Sequence, residues 1–343
     1  YLQFPKNHIF VIMNVKNMVL MILTIGVKYL YGQDPEFSQF YNTPLYTNPA
    51  NAGGAINTKD EQFATRIGLN YRNQWQSLKG SYQTVNASWD RQFNKLHGGL
   101  GSLLVRDVVG SGLLTTTSVA AIYAPTFRLN EMITLKGGVQ IGYVLKSIDF
   151  NKLQFADQIN PGTGPFAPTN EPPPTSNISF ANFGLGTIAY IKNAHLGFAV
   201  HNLFEPNQSF YGNSDGNLPK RYTIHAAGRI QTFKQGKWVN YLTPYILYMK
   251  QQNFSQINLT TNYQMGRVLF GAGFRQTLGG FGNSDAVIGV IGYKVARFQF
   301  TYSYDKTVSS AAPAAKGSHE IGLIYLISLK KIFPDLLLTS PTY

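Results

Sequence analysis

The sequence predicts a transmembrane antiparallel β-barrel of about 14 strands, with an N-terminal leader segment packed in or under the lumen. Three observations point there. The composition is poor in charge and rich in aromatic residues, an apolar export signal lies near the amino terminus, and period-two alternation recurs through the rest of the chain.

The chain has 343 residues, of which 13% are charged and 14% aromatic, with 21 Tyr and 23 Phe. Soluble domains carry about 25% charge. Low charge with abundant Tyr, Phe and Gly suits a wall that faces lipid between aromatic girdles. There is no cysteine, which excludes a disulfide scaffold, a thiolate zinc site and a cysteine nucleophile. The formal net charge is +13. The Lys and Arg are scattered, with no basic run and no nucleic-acid motif, so nucleic acid is not an expected partner. A basic lumen or periplasmic rim is the expected use of that charge.

Residues 13–32 read MNVKNMVLMILTIGVKYLYG. Met13 resembles a start, Lys16 supplies a charged region, and Met18 to Val27 form an apolar run. Gly32 precedes Gln33 as a plausible cleavage point. This is the layout of a signal peptide, with residues 1–12 read as upstream sequence. Lys28 interrupts the run, so it is too short for an ordinary membrane-spanning helix. No other apolar run spans as a helix, so strands must cross the membrane.

Period-two alternation is clear in three places. Phe63, Thr65, Ile67, Leu69 and Tyr71 alternate with Ala64, Arg66, Gly68, Asn70 and Arg72. Ile133, Leu135, Val139, Ile141, Tyr143 and Leu145 alternate with polar residues, as do Phe298, Phe300, Tyr302 and Tyr304. Successive side chains on a strand point to opposite faces, so one face is apolar and aromatic and the other polar. A sandwich and a membrane barrel both fit; the export signal and the number of strands favour the barrel. Its outward face is expected to include Ile67, Leu69, Tyr71, Val139, Ile141, Tyr143, Phe298 and Phe300.

The expected strands are 62–74, 82–92, 96–107, 112–124, 132–147, 179–190, 194–202, 222–232, 241–250, 253–263, 267–276, 284–294, 296–304 and 318–328. An even number places both ends of the chain in the periplasm. The long connections 148–178, 203–221 and 305–317 all follow odd strands and so lie outside. The short connections 191–193, 264–266 and 295 follow even strands; the two-residue connection 251–252 is the exception. The loop 148–178 carries GTGPFAPTNEPPPTSN, whose prolines cannot supply ladder donors.

A succession of sequence blocks resembles the PorP/SprF family. The mature chain opens QDPEFSQFYNTPLYTNPANAG at 33–53. There follow NYRNQW at 70–75, KSIDFNKLQFADQI at 146–159, LGFAVHNLFEPNQSF at 196–210 and LPKRYTIHAAG at 218–228. SDAVIGVIGYK at 284–294, TYSYDKT at 301–307 and GSHEIGLIY at 317–325 complete the series, so the resemblance covers nearly all of 33–328. It implies an integral outer-membrane protein of Bacteroidota associated with type IX secretion and gliding motility. Implied partners are secretion components or a secreted surface protein such as an adhesin, besides outer-membrane lipid. The domain reading is 1–32 upstream residues and signal peptide, 33–61 leader, 62–328 barrel and 329–343 C-terminal tail. That tail departs from barrels that finish on a strand ending in an aromatic residue.

Candidate partner-binding residues are Phe37, Phe40 and Tyr41 in the leader, Arg72 and Trp75 closing the first strand, and Phe155, Asp157 and Phe166 in the long outer loop. The leader holds too many large apolar groups for a solvated tail. Arg72 is suited to pair with a lumen carboxylate or to grip a partner's carboxylate. His201, Arg221, His225, His319 and Glu320 read as polar residues structuring the lumen. No compact spacing supplies a metal site, and no base and nucleophile set is visible, so neither an enzyme nor a cofactor is expected. The function expected is to hold or guide secreted surface proteins, or to link to the secretion machinery. The alternative is an outer-membrane porin or substrate transporter, which would have an open lumen.

Overall fold

A computed structural model describes residues 34–54, 63–77, 80–130, 132–153, 158–160, 164–165, 175–212, 216–235, 238–278, 284–309 and 316–328. The signal-peptide reading and the C-terminal tail lie outside the described residues, as do Phe155, Asp157 and Phe166.

The wall strands are β1 Phe63–Gln74, β2 Tyr82–Phe93, β3 Gly98–Val109, β4 Leu114–Arg128, β5 Ile133–Ile148, β6 Asn177–Ile191 and β7 Ala194–His201. Next comes β8, which is in two pieces, Arg221–Gly228 and Ile230–Gln235. The circuit is completed by β9 Trp238–Gln251, β10 Phe254–Met265, β11 Val268–Leu278, β12 Ser284–Val295, β13 Phe298–Thr307 and β14 Ser318–Ser328. Every strand pairs antiparallel with its sequence neighbours, and β1 pairs with β14 from Phe63↔Ser328 to Gln74↔Ser318. The fourteen-strand sheet is therefore closed and has no edge in the membrane. The second piece of β8 keeps the register of the first against β9, from Ala227↔Tyr245 to Ile230↔Leu242, but runs past the start of β7. No described helix is long and apolar enough to cross a membrane.

The expected outward face is the outward face. Ile141 is 57% and Phe300 50% exposed, whereas Arg72 on the opposite phase is 1% exposed. Rings collect at the strand ends, where Phe298 stacks on Tyr325 at 4.5 Å. The long connections all lie at one end and the two-residue ones at the other, with 252–253 after β9 the exception. Residues 149–176, 202–220 and 308–317 follow β5, β7 and β13, while connections of two residues follow β6, β8, β10 and β12. The end with long loops, which the sequence places outside, is called the outer end and the opposite one the inner end. At the outer end the two longest loops touch, with Thr175 donating its N–H to Phe210 O at 3.2 Å.

The wall begins and ends at its inner, short-turn end, at Phe63 and Ser328. The described part of the leader begins in the outer half of the lumen, where Ser38 lies against Asp305 and Glu320, near the outer ends of β13 and β14. From there it descends to Gly53 beside Asp90, near the inner end of β2. Strand parity fixes where the wall starts, not the path of a segment inside it. That path follows the buried charges described next.

Candidate functional site

The leader is three short helical turns, Phe40–Asn42, Pro44–Thr47 and Pro49–Asn51. Pro44 and Pro49 each open a turn, after Thr43 and Asn48. Proline suits the first helical position because its missing donor is unpaired there anyway. The Asn48 side chain accepts from Ala50 N at 2.9 Å, capping the last turn. Such turns satisfy only part of the backbone, so the remaining polar groups must bond to the wall. They do so at three levels.

At the outer level, Glu320 accepts from the backbone N–H of Ser38 at 2.7 Å and of Gln39 at 3.2 Å. Ser38 Oγ donates to Asp305 at 2.5 Å and accepts from Arg275 Nη2 at 2.7 Å and from Arg72 Nη1. Arg72 lies 3.0 Å from Asp305 and 3.3 Å from Glu320, and Arg275 lies 3.0 Å from Asp305. These charges are buried, and each is compensated by its neighbours, which is the condition for burying charge at tolerable cost. Gln39 and Asn42 extend the network to Ser303 and Thr301.

The middle level is aromatic. Tyr41 stacks on Tyr245 of β9 at 4.8 Å, and Phe40 meets the same ring edge-on at 6.2 Å. Burial among these rings pushes the Tyr41 hydroxyl above the ordinary phenol range. Arg221 donates to Tyr46 Oη at 2.6 Å and to Tyr46 O at 3.1 Å, and its guanidinium sits 4.3 Å from that ring's centroid. Thr47 O accepts from Thr223 Oγ1 at 2.9 Å and from His201 Nε2 at 3.3 Å.

At the inner level, Asp90 pairs with Arg66 at 2.7 Å and accepts from Gly53 N at 2.8 Å. Lys136 donates to Ala52 O at 2.6 Å. Here the leader backbone lies directly on the wall. A Cβ on Gly99 would stand 2.1 Å from Ala52 O, and one on Gly138 2.2 Å from Ala50 N. Only glycine permits that approach.

The predicted residues therefore separate. Phe37, Phe40 and Tyr41 are buried in the lumen. Arg72 does not present a free fork; it is held by Asp305 and Glu320. Trp75 stands outside this cluster at the end of β1, edge-on to Tyr82 at 5.6 Å. His201 and Arg221 hold the leader, and His225 lies 3.1 Å from Asn48 and 3.2 Å from His195. His319 is a correction: it faces outward, bonded to Tyr302 Oη at 2.7 Å. Its neighbour Glu320 points inward, so the pleat forbids both from sharing the lumen. Ser38, Gln39, Arg66, Asp90, Lys136, Arg275 and Asp305 were not singled out from the sequence. The available signal was register, since Arg66 faces Asp90 across β1 and β2, and Arg72 faces Glu320 across the closing seam. Among the described residues, no three His, Asp or Glu converge as metal ligands.

In comparisons with known proteins, no curated protein matches the sequence. Among solved structures, a TodX deltaS2S3 mutant monoaromatic hydrocarbon channel is similar at 11% identity, with a TM-score of 0.46 over 84% of this chain and 94% of that one. Omp33 of Acinetobacter baumannii is similar at 7% identity, with a TM-score of 0.44 over 78% of this chain and 99% of that one. The KdgM porin gives 9% identity and a TM-score of 0.34 over 76% of this chain and 98% of that one. Nothing about what this chain carries follows from likenesses so distant. The family comparison is specific: Type IX secretion system membrane protein PorP/SprF matches over residues 30–325, which takes in the leader and nearly the whole wall. With its closed barrel and apolar outer face, the chain belongs to the PorP/SprF family of type IX secretion membrane proteins and resides in the outer membrane.

Proposed function

We propose that this barrel is a non-enzymatic holder of an exported polypeptide in type IX secretion, rather than a conduit for small solutes. The observation that carries the reading is the leader, which lies inside the lumen and is bonded to the wall along its length, from Ser38 through Tyr46 to Ala52. A porin keeps its lumen open to water, whereas this lumen is occupied by the protein's own chain. With the interior so used, the surface left for a partner is the extracellular loop cluster, where 149–176 and 202–220 meet. The cargo is a secreted surface protein of the adhesin class used in gliding, and secretion components meet the periplasmic side. Phe155, Asp157 and Phe166 are the loop residues proposed to touch the cargo.

The test is deletion of residues 160–174 in the native cell. The barrel is expected to stay in the outer membrane, with surface display of its partner reduced. Planar-bilayer recordings of the intact protein are expected to show little steady conductance. Large, solute-selective conductance, with display unaffected by the deletion, would establish the porin instead.

A further inference from the structure

We infer that the periplasmic rim of the barrel is a binding ring for anionic phospholipid headgroups. The starting point is a segregation of charge along the barrel axis. Each of the six inner connections carries a cation at or beside the turn: Lys95, Arg128, Lys192, Lys234, Arg267 and Arg297, all exposed. Among the described residues, the only wall carboxylate at that end is Asp90, buried and paired with Arg66; the sequence adds Glu131 in the β4–β5 connection and Asp60 and Glu61 ahead of β1, fewer than the cations. At the outer end the signs mix, with Asp107, Asp149, Glu205 and Asp285 among the lysines.

The cations do not stand alone. Each is adjacent or nearly adjacent in sequence to a large lipid-exposed side chain: Lys95 to Leu96, Arg128 to Phe127, Lys192 to Ile191, Lys234 to Phe233, Arg267 to Met265 and Arg297 to Phe298. An exposed hydrophobe within two residues of a cation, at each of these connections, marks the level where hydrocarbon ends and phosphate begins. Long basic side chains lay their stems on the apolar surface and place their charge at that level. The arrangement also selects the occupant. A protein partner is met by an arc or by the mouth of the barrel. Cations at six successive hairpins round the wall, bordering the apolar band, match the annulus of lipid. Headgroup phosphates bearing net negative charge are attracted by such a ring, and salt screens that attraction.

The experiment uses the full mature chain reconstituted in phosphatidylcholine vesicles with spin-labelled phosphatidylglycerol or spin-labelled phosphatidylcholine as probe. The intact barrel is expected to enrich the anionic probe about threefold over the neutral one at low salt, with the ratio falling towards one near ~0.5 M salt. Combined Lys95→Gln, Arg128→Gln, Lys192→Gln, Lys234→Gln, Arg267→Gln and Arg297→Gln should bring the ratio close to one at low salt. Heat-modifiable gel mobility reports that the variant barrel is folded. An outer-end set, Lys152→Gln, Lys220→Gln, Lys306→Gln and Lys316→Gln, should keep the preference. No preference in the intact protein overturns the inference, as does a preference that survives in the inner-rim variant. An unchanged lipid ratio with loss of a co-purifying acidic periplasmic protein also overturns it, in favour of a protein partner. The result is independent of the secretion reading, because vesicles contain no cargo.

Discussion

Glu320→Ala tests whether the outer charge cluster seats the leader. The Glu320 carboxylate accepts from Ser38 N, Gln39 N, Asn70 Nδ2 and Arg72 Nη1. Removing one member of a buried ion pair costs about 3–5 kcal/mol. Part of that cost falls on Arg72 and Asn70, which belong to the wall and suffer whether or not the leader is seated. The leader's share is two backbone donors losing a charged acceptor, each worth about 1.5–3 kcal/mol and not fully additive. A net weakening of ~3 kcal/mol shifts the ratio of seated to unseated leader by about 100-fold. The chain has no cysteine, so Thr43→Cys introduces a single thiol at a position 1% exposed. Its labelling rate by a membrane-impermeant maleimide reads the unseated fraction. Glu320→Ala should raise that rate by about the same factor and bring intermittent conductance in planar bilayers, with Glu320→Gln intermediate. Labelling and conductance indistinguishable from the parent would refute the claim that this cluster holds the leader.

Other perturbations separate the contributions. Gly138→Val places a branched side chain where the leader backbone lies, since even a Cβ would stand 2.2 Å from Ala50 N; the barrel should still insert, with faster Thr43→Cys labelling. Ile141→Arg, on the lipid face midway along β5, should cost roughly 2–4 kcal/mol of barrel stability in a denaturant titration, and Asn182→Arg on the lumen phase of β6 less. His319→Ala should leave labelling and conductance at parental values, because His319 faces outward beside Tyr302.

Much of the wall was legible because a barrel strand has one dominant signal, alternation with period two, and one strong constraint, even closure. Both survive small errors at the ends: β4 runs to Arg128 rather than to 124, and β8 begins at Arg221. The leader was legible only as apolar and unable to stay in solvent. Its path was not, because three turns of three or four residues have no periodicity to read. The cue available was a cap residue before proline, at Thr43–Pro44 and Asn48–Pro49. The clamps were hidden for another reason. Asp90, Asp305 and Arg275 occupy ordinary polar-phase positions and become distinctive only once register and curvature bring them to one point. His319 shows the cost of grouping residues by adjacency, since the alternation that found the strands places it opposite Glu320.

The distribution of the leader's contacts bears on why a barrel of this kind is filled at all. The outer clamp uses β1, β11, β13 and β14, the middle contacts use β7, β8 and β9, and the inner clamp uses β1, β2 and β5. Strands far apart around the ring are thus bonded to one short segment. A plug meant only to stop leakage needs bulk and a seal at one level. Contacts at three levels also fix the relative positions of the strands that support the outer loops. Cross-bracing of this sort limits ovalisation of a wide barrel, which its wall hydrogen bonds alone resist weakly because they run along the circumference. The two loops that meet at Thr175 and Phe210 rise from β5, β6, β7 and β8. Three of those strands bear directly on the leader, through Lys136, His201 and Arg221, and the fourth accepts from Asn48 at Thr187 O. The lumen segment therefore underlies the same arc of wall that carries the proposed cargo surface. A rigid platform for long loops lowers the entropy lost when they engage a partner, and a water-filled lumen would give no such support.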